Sequence, residues 1–245
     1  MKTYLNAFLM CQSMFCAIPA PQVWDEKARD KMLLFLPVVG LELGLLWAGL
    51  GWLCRFLGLP EPVTALVLAI FPWISTGFLH LDGFMDVTDA VKSCRSPERR
   101  REILKDPHVG SFAVIGLALL VLGQFVFFAS VGRETPLWVL VFVPAVSRCC
   151  SALAVTVLPA MSTSQYAEQK KPRGHVAVLI IMLLSFLTAA VMFCGRYALV
   201  LGAVVAGYSL ILRRGYRSLG GMNGDIAGAA LTMGELFAAG ALMLF

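Results

Sequence analysis

Charged residues are scarce in this chain. They make up 14% of the 245 residues, whereas soluble domains carry about 25%. Apolar residues account for 59%, the mean hydropathy is +0.80, and no polar stretch is long enough to fold beside the apolar segments as a soluble domain. The composition therefore excludes an ordinary soluble enzyme. It predicts an integral membrane protein whose active site, if it has one, belongs to the membrane bundle.

The chain also lacks a paired-cysteine motif, a convincing signal-peptide cleavage site and a nucleic-acid-binding signature. Its seven cysteines form no C-x-x-C pair and mostly lie in apolar runs, as small buried hydrophobic residues do. Residues 1–20 are apolar but contain Asn6, Gln12 and Ser13, which predicts a retained amphipathic helix rather than a leader. The net charge of +5 is best explained by basic loops at one membrane face, so no nucleic-acid partner is expected.

Seven apolar segments are long enough, or nearly long enough, to cross a bilayer. They cover residues 33–56, 62–81, 109–131, 136–159, 175–194, 197–212 and 226–245. The predicted fold is all-α: a polytopic membrane helical bundle of about seven transmembrane helices, preceded by the amphipathic helix. Residues 1–245 are expected to form a single integral membrane domain.

The basic residues predict the orientation of this bundle. Suppose that the N-terminus lies in the cytoplasm. Sixteen of the twenty Lys and Arg residues, including Lys170 and Lys171, then lie on the cytoplasmic side. The other four are Arg55, Arg133 and Arg196 on the far side and Arg148 within a span. This bias favours a cytoplasmic location for the positive loops. We therefore expect a protein of the prokaryotic cytoplasmic (inner) membrane.

The stretch S-T-G-F-L-H-L-D-G-F-M-D-V-T-D-A, residues 75–90, concentrates acidic side chains at the end of the second span. Helical spacing places Asp82, Asp86 and Asp89 within an arc of about 60°. Clustered carboxylates repel one another unless a cation lies among them, and aspartate oxygens suit Mg²⁺ or Ca²⁺. A solvated helix end, where acids favour the first turn, is the plainer alternative.

Residues 82–108 form a cytoplasmic acidic and basic region that we predict to be catalytic. Within it, Ser96 and Pro97 indicate the start of a short helix, with Ser96 as its cap. The three arginines of residues 99–101 either bind anionic lipid headgroups or hold the phosphates of a substrate. Both interpretations remain open from the sequence.

A glycine-rich turn, L-G-G-M-N-G-D at residues 219–225, precedes the last span at the same predicted membrane face. Its glycines permit a backbone that approaches a ligand closely. We expect Asp225 to cap the following helix, with Thr232 on the same face two turns later.

A few ionisable residues interrupt the apolar runs, and such residues are functional candidates. Arg148 and Glu235 either serve the site or form a structural ion pair, and Glu42 either serves the site or pairs with Arg148. His80 lies two residues before Asp82 and so points to another side of the helix. It either orients a phosphate or makes a structural hydrogen bond.

Four motifs in the correct order resemble the cobalamin synthases, the adenosylcobinamide-GDP ribazoletransferases. The family pattern T-G-G-h-H-x-D-G-h-x-D-x-x-D-G/A is similar to residues 76–90, and E-I-M-R/K-D-S-x-x-G to residues 102–110. The pattern L-G-G-x-T-G-D-x-x-G-A-x-x-E-x-x-E is similar to residues 219–235, and F-P-h-h-G-h to residues 36–41. The resemblance covers nearly the whole chain.

Four departures from these patterns bear on the candidate site. Phe78 stands in place of a second glycine, Pro107 in place of Ser, Asn223 in place of Thr, and Thr232 in place of Glu. The loss of a carboxylate at Thr232 leaves Glu235 as the acid of the last motif to be tested.

The resemblance implies a membrane transferase that joins α-ribazole, or its phosphate, to adenosylcobinamide-GDP. The products would be adenosylcobalamin, or its phosphate, and GMP, completing the nucleotide loop of vitamin B12. We hypothesise that Asp82, Asp86, Asp89 and Asp225 are catalytic in this reaction, with Mg²⁺ as the cofactor bound by the first three. The expected partners are these substrates and membrane lipid, and a homo-oligomer is left open.

A wider set of substrate-binding residues is expected in the motifs, in the basic loop after the acidic cluster and at the ionisable positions within the spans. This set comprises Thr76, His80, Arg99, Arg100, Lys105, Asp106, Asn223, Gly224, Arg148 and Glu235.

Two other classes fit parts of the sequence. A CDP-alcohol phosphatidyltransferase also combines membrane helices with aspartates at one-turn spacing, but its D-G-x-x-A-R signature is not met after Asp82 and Gly83. A cation or metabolite transporter fits the composition, yet it predicts acids near mid-span or in broken helices. The acids here lie at a predicted membrane face beside basic loops.

Overall fold

The structure is a computed structural model that describes residues 2–162, 164 and 173–245. Over these residues the chain is all-α, and its extended segments form only an isolated bridge between Ala160 and Met222. Lys170 and Lys171, counted above among the cytoplasmic cations, lie outside the described residues. The helices are α1 (Lys2–Phe15), α2 (Glu26–Arg29), α3 (Leu36–Phe56), α4 (Glu61–Ile74), α5 (Leu79–Lys92), α6 (Pro97–Ile103), α7 (Ser111–Ala129), α8 (Phe142–Val157), α9 (Arg173–Cys194), α10 (Val200–Leu219) and α11 (Gly224–Leu242).

Within the part of the chain that the structure describes, five helical segments are long and apolar enough to cross a membrane, or six if α4 and α5 together count as one span. One of the five, Gly174–Leu219, is 46 residues long. A straight helix of that length would measure about 69 Å, roughly twice the hydrocarbon core. It contains α9 and α10, which meet at a 3₁₀ turn that begins with Gly195 at φ +56°. Seven apolar segments are predicted from the sequence because this stretch is divided into two and residues 62–81 are taken as one span.

The predicted span over residues 62–81 is wrong in its boundary. Helix α4 ends at Ile74, and α5 begins at Leu79 after a bend of 84°. Two consecutive residues, Gly77 at φ +58° and Phe78 at φ +63°, have left-handed backbone conformations that no α-helix accommodates. The acidic residues therefore belong to a separate helix rather than to the end of a span.

The predicted N-terminal helix is present as α1, although it is shorter than residues 1–20. Ala7, Met10 and Cys11 are buried on its inner side, where it packs against the 3₁₀ turn Met32–Phe35 and α3. Tyr4 and Leu5 remain exposed on its other side. This two-sided distribution is typical of a helix that lies against a membrane bundle.

Helix α11 is the centre of the bundle and packs against α10, α5, α8 and α7. Small residues allow α10 and α11 to pack closely. A Cβ on Gly234 would come within 3.0 Å of the Val204 carbonyl oxygen, and a Cβ on Gly207 would come within 2.6 Å of the Phe237 ring. Membrane helices use such residues because close backbone packing, rather than the hydrophobic effect, holds them together. Gly83 likewise lets α5 pack closely against α11 at the candidate site.

Candidate active site

The acidic residues of α5 lie around one small cavity, as their helical spacing predicted. Asp82, Asp86 and Asp89 line a cavity of about 30 Å³ together with residues 108–110 of the loop before α7. Asp82 is exposed, and Asp86 and Asp89 are half-buried. The three carboxylates are therefore accessible to a ligand while their helix is anchored in the bundle.

The loop before α7 holds Asp89 closely. A Cβ built on Gly110 would overlap the Asp89 carboxylate, so no larger residue fits there without displacing that group. His108 lines the same cavity, and its ring is largely exposed. His108 is not among the predicted site residues, because it stands at a variable position of the second family pattern.

A fourth carboxylate comes from the first turn of α11. The Asp225 backbone lies against Gly83, where a Cβ would come within 2.9 Å of the Asp225 Cα. Asp82, Asp225 and Asp89 all repel a negative charge on Asp86. The structure thus brings together the four aspartates that the sequence analysis proposed as catalytic, although they come from two helices far apart in the chain.

The capping role expected for Asp225 is wrong. Asn223 is the N-cap of α11, and its side-chain oxygen accepts from the Ile226 N–H at 3.0 Å. The Asn223 amide donates to the Asp225 carboxylate at 2.6 Å. Asparagine caps as well as aspartate does, so Asp225 is left at the second helical position. Gly224 begins the helix between them.

The aspartate oxygens of the acidic cavity are ligands of the kind that Mg²⁺ prefers. Within residues 2–162, 164 and 173–245, however, no three His, Cys, Asp or Glu side chains are arranged to hold one metal ion. Mg²⁺ is usually held by one or two carboxylates, with phosphate oxygens and water completing the octahedron. The cavity offers aspartate oxygens and no thiolate. Two aspartates and a bound phosphate would therefore suffice.

Among the basic residues of α6, two are engaged by neighbouring acids. The predicted helix start is confirmed, because Ser96 accepts from the Arg99 N–H. Arg99 pairs with Glu102, and Arg101 pairs with Glu98 while donating to the Leu219 carbonyl oxygen at 3.2 Å.

Arg100 and Lys105 have no carboxylate within 4.0 Å among the described residues. Lys105 lines a cavity of about 240 Å³ between α6 and the end of α10. Of the basic candidates, these two have side chains that no ion pair occupies.

Asp106 shapes the turn into α7 rather than the acidic cavity. Its carboxylate accepts from the His108 backbone N–H at 3.0 Å, and the His108 ring Nδ1 lies 2.6 Å away. These hydrogen bonds, the backbone one foremost, hold the pKa of Asp106 below its usual range. Asp106 thereby positions His108 beside the acidic residues.

Two predicted site residues are buried away from the acidic cavity. Thr76 is buried and donates to the Pro72 and Trp73 carbonyl oxygens at the end of α4. His80 is buried with its ring against Phe15 of α1, and its carbonyl accepts from the Thr232 hydroxyl at 3.2 Å. His80 thus points away from the carboxylates, as its offset from Asp82 predicted.

Arg148 and Glu235 form a buried ion pair between α8 and α11. The Arg148 guanidinium donates to the Glu235 carboxylate at 2.8 Å, and both side chains are at most 4% exposed. Glu42, the other partner considered for Arg148, instead accepts from Gln12 of α1 at 3.1 Å. The pair joins two helices, and neither residue lines the acidic cavity.

Comparison with known proteins agrees with these motifs. The family model for cobalamin-5-phosphate synthase matches residues 7–243. Adenosylcobinamide-GDP ribazoletransferases from Clostridium perfringens (strain 13 / Type A) and Clostridium botulinum (strain Alaska E43 / Type E3) are 34% and 32% identical to this chain, with 96% of each sequence covered. The enzyme of the same name from Geobacillus thermodenitrificans (strain NG80-2) is 29% identical over the whole of this chain and 97% of its own. No solved structure matches. The chain belongs to the cobalamin-5-phosphate synthase family.

Proposed function

We propose that this protein is a membrane transferase that joins α-ribazole, free or as its phosphate, to adenosylcobinamide-GDP. Family membership supports the reaction class, and one observation carries it in the structure: three aspartates of α5 line one cavity, and Asp225 of α11 lies close enough to repel a negative charge on Asp86. Transfer onto a pyrophosphate needs charge neutralisation and positioning more than covalent catalysis. A cluster of carboxylates that binds a cation at the pyrophosphate would meet both needs.

The reaction exchanges one P–O bond for another. The ribose hydroxyl oxygen of α-ribazole attacks the phosphorus on the cobinamide side of the pyrophosphate. The bond to the GMP oxygen breaks, and GMP leaves with the electron pair. We assign the general base that takes the hydroxyl proton to Asp89, whose carboxylate is held against Gly110.

The remaining aspartates would hold the cofactor and the substrate. Asp82 and Asp86 would bind Mg²⁺, which when bound supplies positive charge to the pyrophosphate. Asp225, fixed by Asn223, orients the nucleophile or completes this ligand set. Arg100 and Lys105, which have no acidic partner in the described chain, would stabilise the departing GMP.

The location and surroundings of the site are part of this proposal. The distribution of basic residues supports a site at the cytoplasmic face of the inner membrane. Membrane lipid is the expected environment, with no nucleic-acid partner.

A turnover assay on the detergent-purified protein tests the proposal. With adenosylcobinamide-GDP, α-ribazole and Mg²⁺, corrinoid product and GMP should appear in equal amounts. Product should disappear with a chelator and in Asp82→Asn, whereas Glu134→Gln, which replaces an exposed acid outside the cavity, should retain activity. Activity that survives the chelator would contradict the metal assignment.

Two alternative outcomes separate the rival classes. Transfer from a CDP-lipid in place of adenosylcobinamide-GDP would indicate a phosphatidyltransferase. Cation uptake into liposomes without turnover would indicate a transporter. Either result from a folded sample would contradict the proposed function.

A further inference from the structure

A second cavity lies behind the acidic helix and has a different character. It has a volume of about 270 Å³ and is bordered by α5, α7, α10 and α11. Its lining is apolar apart from Thr88, Lys92 and Arg214, and no acid of residues 2–162, 164 and 173–245 borders it. Phe84 and Val87 line it from the side of α5 opposite to the aspartates, because they are offset from Asp82 by about 200° and 140°. This cavity is therefore separate from the candidate active site.

The cavity arises because α7 and α10 both pack on α11 but make little contact with each other. Gly116 lets α7 approach α5 closely, since a Cβ there would come within 2.7 Å of the Thr88 methyl group. Leu119, which also borders the cavity, is 68% exposed on an α7 helix that is apolar along its whole length. The cavity thus opens sideways, on the face of the bundle that α7 presents to the bilayer.

The two cations lie at one end of this opening. Lys92 is the last residue of α5, and Arg214 lies in the last two turns of α10. Both side chains are exposed, and neither has an acidic partner within 4.0 Å among the described residues. Leu120 and Leu236 line the cavity deeper in the bundle. The apolar part of this cavity suits an acyl chain, and the two positive charges at its opening suit the phosphate attached to that chain.

We propose that this cavity binds one anionic phospholipid, with an acyl chain between α7 and α10 and its phosphate between Lys92 and Arg214. The volume of the cavity is just below the usual range of small-molecule sites, about 300–1,000 Å³. The cavity is therefore too small for a corrinoid. Its apolar lining offers little to the sugar and base of a nucleotide. The proposal does not depend on the reaction that the protein catalyses.

Native mass spectrometry of the detergent-purified protein tests the site directly. Phosphatidylglycerol and phosphatidylcholine with identical acyl chains are titrated separately, and the population with one bound lipid is measured. Each cation beside an anionic headgroup changes affinity about fivefold. Because two cations contribute, we expect phosphatidylglycerol to bind roughly twenty-five-fold more tightly than phosphatidylcholine. Equal binding of the two lipids by the wild type would overturn the proposal without any variant.

A pair of double variants locates the headgroup. Lys92→Gln/Arg214→Gln should abolish the preference for phosphatidylglycerol. Arg213→Gln/Arg217→Gln removes the same charge from exposed residues of α10 that do not border the cavity, and it should retain the preference. An equal loss in both double variants would indicate general attraction to the basic face and contradict a defined site.

Two further measurements identify the occupant. Ala229→Leu adds volume at the buried floor of the cavity and should weaken lipid binding while leaving the cations in place. Glycerol phosphate, which has the headgroup chemistry without the chain, should not compete. Displacement of the lipid by glycerol phosphate would assign the cations to a soluble phosphate, and displacement by α-ribazole would assign the cavity to the acceptor substrate. Either result would overturn the lipid proposal.

Discussion

Gly83 and Asp225 are in direct backbone contact, although they are far apart in the sequence. A side chain on Gly83 would begin 2.9 Å from the Asp225 Cα and 3.0 Å from its carbonyl oxygen. Helix α5 carries three of the acidic residues and α11 carries the fourth, so this contact sets the distance between the two parts of the site. The geometry of the acidic cluster therefore depends on a residue that has no side chain.

Gly83→Ala should lower turnover strongly in a protein that still folds. The added methyl group pushes α5 away from α11, and displacements of about 1 Å in a catalytic site cost about a hundredfold in rate. The measurement is GMP release by purified protein of matched folded fraction. Gly49→Ala is the control, because Gly49 is exposed in α3 with nothing within 4 Å of a Cβ, and it should keep wild-type activity. Full activity in Gly83→Ala would show that the α5–α11 distance does not matter.

Gly110→Ala should damage the site from the other side. Gly110 has φ −86° and ψ 165°, which alanine adopts without strain, so any effect comes from the overlap of its Cβ with the Asp89 carboxylate. We expect at least a tenfold loss of turnover with unchanged thermal stability, because removing a general base usually costs about 10²–10⁴-fold. Gly202→Ala in α10, where a Cβ meets nothing, serves as the control. Equal activities of the two variants would refute the proposed role of Asp89.

Phe78→Gly should stabilise the protein. Phe78 holds φ +63° at the bend between α4 and α5, a conformation that costs a residue with a Cβ about 1–2 kcal/mol. Glycine avoids this cost but adds about 0.5–1 kcal/mol of chain entropy. The expected net gain in the free energy of unfolding is roughly 0.5–1 kcal/mol, measurable by thermal unfolding in detergent.

The control for this prediction is another exposed phenylalanine. Phe56→Gly, at the end of α3, should destabilise the protein because that residue has an ordinary helical backbone. If both glycine variants lose stability, the left-handed backbone at Phe78 is not under strain.

The Arg148–Glu235 pair should behave as a structural unit. Removing one partner of a buried ion pair leaves an uncompensated charge, at a cost of about 3–5 kcal/mol. Arg148→Met and Glu235→Leu should therefore each lower the unfolding temperature, whereas the double variant should recover most of the loss. Unfolding monitored by size-exclusion chromatography after heating provides the measurement.

Turnover by the double variant distinguishes structure from catalysis. Because neither residue lines the acidic cavity, the stable double variant should retain activity. A folded but inactive double variant would place the pair in the substrate site.

Local features were predictable from the sequence because they depend on neighbours within one or two turns. Ser96 and Pro97 mark the start of α6 correctly, since a cap is a contact between residues three positions apart. The common face of Asp82, Asp86 and Asp89 follows from helical periodicity alone. The all-α membrane fold follows from the scarcity of charge, because a bilayer leaves the backbone few ways to satisfy its hydrogen bonds.

Contacts between helices were not predictable in the same way. Asp225 was expected to cap α11, but Asn223 occupies that position, and both residues are good caps in isolation. Glu42 and Glu235 were equally plausible partners for Arg148 until the packing of α8 against α11 selected one. The sequence alone therefore determined that this is a helical membrane protein with an acidic helix face and basic loops. The tertiary structure decided which glycines let α5 pack closely against α11 and against the loop before α7. Helical periodicity could not predict these contacts, because they join residues of different helices and loops.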